Sequence, residues 1–130
     1  MSPVVVDDPN EPVWKQVSIV SVGVLPTDNP GMFNVNVTLD GGVTDEWKRR
    51  FVGLAAPLLK QSRFQGYTWV AEAEATDIRA LSRRTLQDYV EGVNRHFQEY
   101  VVPRLESERD QRLWDKRFAA DAQKRLNSPD

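Results

Sequence analysis

The sequence contains no cysteine, and this absence removes several kinds of chemistry. A chain without thiols forms no disulfide, has no thiolate nucleophile and offers no cysteine ligand to a metal ion. Histidine is almost as scarce, since His96 is the only one. It stands beside the apolar stripe of a predicted helix, and no G-x-S-x-G motif supplies a nucleophile for it. We therefore interpret His96 as a partly exposed helix residue.

Nucleotide-binding and calcium-binding motifs are also missing. Neither G-x-x-x-x-G-K-[ST] nor G-x-G-x-x-G occurs, and no acidic run has the spacing of a calcium loop. The pair Gly41–Gly42 follows a predicted strand, and we interpret it as a turn that needs positive φ. These absences predict a protein that is not an enzyme and that uses no cofactor and no metal ion.

Long apolar runs are absent as well, since none approaches the roughly 20 residues that span a bilayer. The formal net charge of -2 gives no overall attraction to anionic lipid or nucleic acid. We therefore expect a cytoplasmic protein with no membrane partner. Its 130 residues, 40% hydrophobic and 28% charged, are enough for one packed domain. We predict a flexible leader at 1–12, an α+β domain at 13–103, a helical tail at 104–126 and a frayed end at 127–130.

Hydrophobic periodicity predicts three strands within the domain. Residues 13–25 and 33–40 are typical of a hairpin, and residues 67–75 of a third strand, while 60–66 are interpreted as a connector. The apolar alternation slips within the first strand. Such a slip indicates either a bulge or a central strand that is apolar on both faces.

Helices are predicted on either side of the third strand. Thr44 or a neighbour caps the first helix, which should kink or break at Pro57. Ser82 or Asp77 caps the second, which should end or kink before Pro103.

These elements predict an α+β fold of ββαβα order. A helix between the second and third strands makes those strands parallel, and the first strand, antiparallel to both, fits between them. We therefore predict a small, mostly antiparallel sheet of strand order 2-1-3, with the helices packed on one face and a helical tail after them.

The predicted arrangement leaves apolar side chains on the second face of the sheet. Val70 lies there with one phase of the first strand, and exposed apolar patches usually mark interfaces. In the tail, Trp114 and Phe118 lie one turn apart and share a helix face, with Leu113 next to them. The leader's "VVV", the tail or a second copy are the candidates to cover the sheet. We therefore predict Val70, Leu113, Trp114 and Phe118 as interaction residues for a protein partner or a homodimer.

A basic segment supports an alternative. Residues 48–84 contain eight basic and three acidic residues, a local net charge of +5. Such a patch could bind the phosphates of a nucleic acid, although the expected sheet carries no exposed aromatic platform for bases. The residues of this alternative are Lys48, Arg49, Arg50, Arg83 and Arg84.

Two carboxylates form a second alternative. Glu72 and Glu74 are two residues apart on the third strand, roughly 6.5 to 7 Å along the backbone. This separation is compatible with the acid and base of a hydrolase. Their strand phase instead favours a solvated face with cross-strand partners such as Lys15.

The element order, together with a helix that starts with Trp47 and Phe51, resembles small bacterial accessory proteins. The resemblance implies an accessory role and assigns no site residue. We therefore predict a non-catalytic interaction or accessory module of a bacterial-type intracellular system. It would act through a sheet face and the aromatic-bearing C-terminal helix.

Overall fold

The computed structural model describes residues 8–59 and 61–129. The chain divides into two compact units, one of residues 14–97 and one that combines residues 8–13 with 98–129. The first unit contains strands β1 (Ser18–Pro26), β2 (Met32–Asp40), β3 (Gln61–Gln65) and β4 (Thr68–Glu74), and helices α1 (Asp45–Ala55), α2 (Ala75–Ala80) and α3 (Arg83–His96). A π-helical turn, Phe97–Val101, follows, and helix α4 (Val102–Asn127) belongs to the second unit.

The four strands form one antiparallel sheet in the order β1-β2-β4-β3. The α+β class is confirmed, but the predicted order 2-1-3 is wrong. Residues 61–65, expected to be a connector, form β3 and turn back into β4 at Gly66 and Tyr67. Because β3 and β2 are both antiparallel to β4, they are parallel to each other, as the intervening helix requires. The extra strand β4 lies between them and leaves β1 at an edge.

The slip in the first strand is a bulge. Ile19 pairs with Leu39 and Ser21 pairs with Thr38, so Val20 is the extra residue between two successive pairs. Of the two explanations for the slip, the central strand is therefore wrong. Among the described residues, β1 pairs on one side only. The leader's "VVV" at 4–6 lies outside the described residues.

Side-chain caps fix where the two main helices begin. The Thr44 hydroxyl accepts the backbone N–H of Trp47 at 3.2 Å, and Ser82 accepts that of Thr85 at 3.0 Å. Helix α1 ends at Ala55, ahead of Pro57, because a proline ring there would press on the preceding turn.

Pro103 interrupts regular α-helix as predicted. It lies in the first turn of α4, directly after the π-helical turn. Proline has no N–H to donate to the preceding turn, and its ring displaces the carbonyl there. A wider π-helical turn accommodates that displacement without ending the helical backbone.

The core of the first unit is aromatic. Trp47 and Phe51 on α1 stack with their ring centroids 5.2 Å apart, and Phe51 meets Trp69 of β4 edge to face at 5.3 Å. All three side chains are fully buried. Ala71 and Ala73 lie on the same face of β4 as Trp69 and are buried with it.

Asn94 of α3 joins three segments of this core. Its side-chain amide pairs with the backbone of Val17 in both directions, donating to the carbonyl at 2.8 Å and accepting from the N–H at 3.2 Å. The same oxygen accepts the indole N–H of Trp47 at 3.2 Å. Asn94 thus substitutes for a strand neighbour at the entry to β1 and holds α1 against α3.

Candidate interaction surfaces

The second face of the sheet is polar rather than apolar. The register places Asn34, Asn36 and Thr38 of β2 opposite Glu72, Val70 and Thr68 of β4. On the other side of Val70 lies Arg63 of β3. Val70 is half-buried among these polar neighbours. It is therefore an isolated valine and not the centre of an apolar patch.

The exposed apolar surface of the sheet lies instead along the edge strand β1. Val20, Val22, Val24 and Leu25 are 59%, 37%, 46% and 57% exposed. Val22 and Val24 pair with the fully buried Val37 and Val35, so they extend the core face beyond the buried part of the sheet. The sequence pattern placed this strand at the centre of the sheet, with one of its apolar phases on the second face.

The two edges of the sheet differ in chemistry. β1 is nine residues long and contains no charged residue, whereas β3 has five residues, among them Arg63 and two glutamines. Natural edge strands are kept from pairing with other chains by charges, prolines, bulges and short length. β3 has a charge and a short length. On β1 such features lie only near the ends: the bulge and the Arg83 guanidinium, which donates to the Ile19 carbonyl at 3.4 Å, at one end, and Pro26 at the other.

The second surface is the aromatic pair on α4. Trp114 and Phe118 stack with ring centroids 5.2 Å apart and an interplanar angle of 13°. They are 56% and 58% exposed. Their predicted common face is therefore correct. Leu113 is half-buried and lies about 100° around the helix from Trp114, so it does not extend the exposed pair.

A shallow acidic groove adjoins Trp114. It is lined by Pro103, Glu106, Ser107, Asp110, Gln111 and Trp114. Gln111 donates to Asp115 across one turn at 2.9 Å, and Glu106 and Asp110 are exposed. An exposed pair of aromatic rings thus lies beside two carboxylates.

Arg109 attaches α4 to the end of the leader. It is buried, and its guanidinium donates to the backbone carbonyl of Glu11 at 3.1 Å. Its Nε atom lies 3.6 Å from a carboxylate oxygen of Asp110. The described part of the expected leader is therefore bonded to the tail helix, a contact for which the sequence carried no signal.

The basic residues of the nucleic-acid alternative fall into two groups. Lys48, Arg49 and Arg50 lie on α1 within one turn of Trp47, which contacts Asn94 near the end of α3. Arg83 and Arg84 begin α3. At a rise of 1.5 Å per residue they lie about 16 Å from Asn94 along the axis of that helix.

Several of these cations already have partners. The ammonium of Lys48 lies 5.8 Å from the ring centroid of Phe64 and 6.0 Å from that of Tyr67. Arg84 lies 3.5 Å from Asp88, with both side chains largely exposed. The geometry therefore gives no single row of cations along which a phosphate backbone would run.

Glu72 and Glu74 point away from the core and are exposed. Glu72 faces Asn34 and Gln61, and Glu74 faces Met32, so the strand register does not give either carboxylate the expected partner Lys15. In the described part of the chain, no three His, Asp or Glu side chains converge as metal ligands. His96 is half-buried at the end of α3, with its ring 6.4 Å from that of Phe97.

Comparison with known proteins gave no match to a family model, to a curated protein or to a solved structure. Among the described helices, none combines the length and the apolar character needed to cross a membrane.

Proposed function

We propose that this protein is a non-catalytic interaction module that docks another protein through the aromatic pair of α4. The observation that carries the proposal is the stacked Trp114 and Phe118, each more than half exposed. A few residues supply most of the binding energy at protein interfaces, and tryptophan is among the types enriched at those positions. Stacking fixes both rings before binding, so less side-chain entropy is lost on docking.

The groove beside the rings indicates the chemistry of the partner. Glu106 and Asp110 line it next to Trp114. Charges at the rim of an interface favour a partner of opposite sign. The partner surface we propose is therefore an apolar socket with a rim of lysine or arginine, and the cytoplasmic location expected from the sequence is part of the same proposal.

The absence of cysteine makes a site-specific test possible, because one introduced thiol can be labelled alone. Gln111→Cys places a photo-crosslinker one turn from Trp114. Lys116→Cys places it about 200° around the helix from Trp114 and serves as the control. Each labelled full chain is irradiated in lysate, and the crosslinked chain is identified by mass spectrometry and then purified.

We expect the label at position 111 to give a crosslinked product that the label at position 116 does not give. The same product should be lost when Trp114→Ala and Phe118→Ala are added to the position 111 variant. Calorimetry with the purified partner should show that Trp114→Ala weakens binding about 30-fold or more, as a hot-spot residue does. Equal products from both positions, or a product that survives loss of both rings, would show that the pair is not the docking surface.

The nucleic-acid alternative makes a different prediction. Phosphate binding would weaken linearly in log affinity against log salt. The separation of Arg83 and Arg84 from the cations of α1 favours the interaction module over this alternative. The hydrolase alternative finds no support in the exposed, amide-flanked setting of Glu72 and Glu74.

A further inference from the structure

We propose that β1 is a self-association strand, which pairs antiparallel with β1 of a second copy of this chain around Val22. The inference rests on the proposed function, that the chain acts through protein contacts, and names one partner. Strand β1 belongs to one compact unit and the aromatic pair to the other, so the two surfaces can be tested separately.

β1 is an edge strand whose middle carries no protecting group, since Arg83 bonds only the Ile19 carbonyl near one end and Pro26 lies at the other. Among the described residues β1 has a strand neighbour only on the β2 side, and its exposed valines extend the core face. An edge strand presents a row of backbone N–H and C=O groups that a further strand can pair with. A second strand would also cover Val22 and Val24 with apolar side chains.

The sequence of β1 indicates that a second copy of this chain is the strand that pairs with it. Residues 20–24 read Val-Ser-Val-Gly-Val, so the run is symmetric in side-chain type about Val22. A twofold axis at Val22 would set Val22 against itself, Val20 against Val24 and Ser21 against Gly23. Valine would meet valine and small residue would meet small residue throughout. An interface between identical copies requires this kind of self-complementary patch.

Charge also favours a second copy at this edge. Ser18–Pro26 contains no ionisable residue, and the Arg83 guanidinium on the Ile19 carbonyl would lie at opposite ends of the twofold pairing in the two copies, so no like charges face each other across it. Like charges directly across a strand pair are destabilising. The opposite edge, β3, would place two copies of Arg63 close together and is unsuited to the same contact.

In this register, core-face residues of one copy pair with core-face residues of the other, and polar-face residues pair with polar-face residues. Val22 and Val24 lie on the core face opposite Val37 and Val35, whereas Ser21 and Gly23 lie on the polar face opposite Thr38 and Asn36. The twofold pairing keeps each face continuous from one copy to the next, because residues that face each other across strands share a side. The bulge makes the Val20–Val24 pairs the irregular ends of the pairing, and the proline at position 26 limits its extension beyond them.

The test is a charge swap at the axis, with the full chain. Val22→Lys sets two ammonium groups against each other, and Val22→Glu sets two carboxylates, while a mixture of the two variants sets one against the other. Sedimentation equilibrium and native mass spectrometry measure the assembly. Leu54→Lys, an exposed apolar position on α1, is the matched control, and Val22→Thr tests whether the strand tolerates a polar atom.

The wild type, Val22→Thr and Leu54→Lys should have about twice the 14.9 kDa of one chain. Each charged variant should self-associate about tenfold more weakly or worse, with an unchanged circular dichroism spectrum, and the mixture should form the mixed dimer. A wild type that stays at one chain mass, or charged variants that dimerise as well as it does, overturns the inference. Weakening without rescue in the mixture overturns the register about Val22. None of these outcomes changes the crosslinking expected at position 111, so the proposed function is tested independently of this inference.

Discussion

Asn94→Leu is the sharpest test of how the first unit is held together. Leucine is close to asparagine in size but makes no hydrogen bond, so the variant removes the three bonds to Val17 and Trp47 without opening a large cavity. It leaves three polar groups without their partners, namely the N–H and C=O of Val17 and the indole N–H of Trp47. Val17 and Trp47 are 3% and 0% exposed, so water does not readily replace the lost bonds.

The magnitude follows from the burial of these groups. Leaving one buried donor or acceptor unpaired costs about 1–3 kcal/mol. Three such groups, with some relaxation of the loop before β1, give a loss on the order of 3 kcal/mol. Domains of this size have a free energy of unfolding of about 5–15 kcal/mol, so the variant should still fold with a clearly lower midpoint.

Urea unfolding followed by circular dichroism measures this loss. The matched control is Gln87→Leu on the same helix, which removes an exposed bond to Glu91 and should change the free energy of unfolding by less than about 0.5 kcal/mol. If the free energy of unfolding of Asn94→Leu lies within about 0.5 kcal/mol of the wild-type value, the three bonds do not hold the segments together and the reasoning is refuted.

Three further predictions concern the glycine pair, the aromatic pair and nucleic acid. Gly42→Ala should lower the free energy of unfolding by about 1–3 kcal/mol in urea, because a Cβ there would collide with the indole of Trp14 and the backbone carbonyl of Lys15; an unchanged midpoint would show that both segments move aside freely. Trp114→Ala/Phe118→Ala should change the thermal midpoint and the helical signal little, since both rings are more than half exposed; a marked loss of helicity would mean that the rings serve only the chain's own fold. Fluorescence anisotropy with labelled single-stranded and duplex DNA should show no saturable binding at low salt; binding whose logarithm falls linearly with log salt would favour the basic residues instead.

The sequence predicted most elements because their signals are local. Thr44 and Ser82 at the caps, Pro57 and Pro103 at the interruptions, and the alternation of β2 are all decided within a few residues. These features depend on hydrogen bonds and rings that act over one helical turn or one strand pair.

The strand order was missed because one short strand was missed. In β3 the half-buried Ser62 and Phe64 alternate with exposed Gln61, Arg63 and Gln65, and Gly66 at φ +61° begins the two-residue turn into β4. A glycine at the first central position is typical of a type II′ hairpin turn, so the run 61–68 contained the signal. Once β3 is recognised, the direction of β4 reverses and β1 moves from the centre of the sheet to its edge.

The candidate surfaces were predictable to different degrees. The Trp114–Phe118 face follows from a spacing of four residues on a helix, and it needs no tertiary information. The exposure of Val22 and Val24 does not follow from the sequence, because an edge strand and a central strand can share the same apolar composition. The contacts of Asn94 with Val17 and of Arg109 with Glu11 join residues more than 75 positions apart, and no local pattern predicts them.

The claim that names its own partner is self-association through β1, and amide hydrogen exchange along this strand tests it most directly. The full chain is compared at low and high concentration, with Val22→Lys alongside. The account predicts that those amides of positions 20–24 that point away from β2 become slower to exchange as the wild-type concentration rises, and that Val22→Lys shows no such change. Exchange of these amides that is fast at every concentration, or slow at every concentration in both proteins, would contradict it.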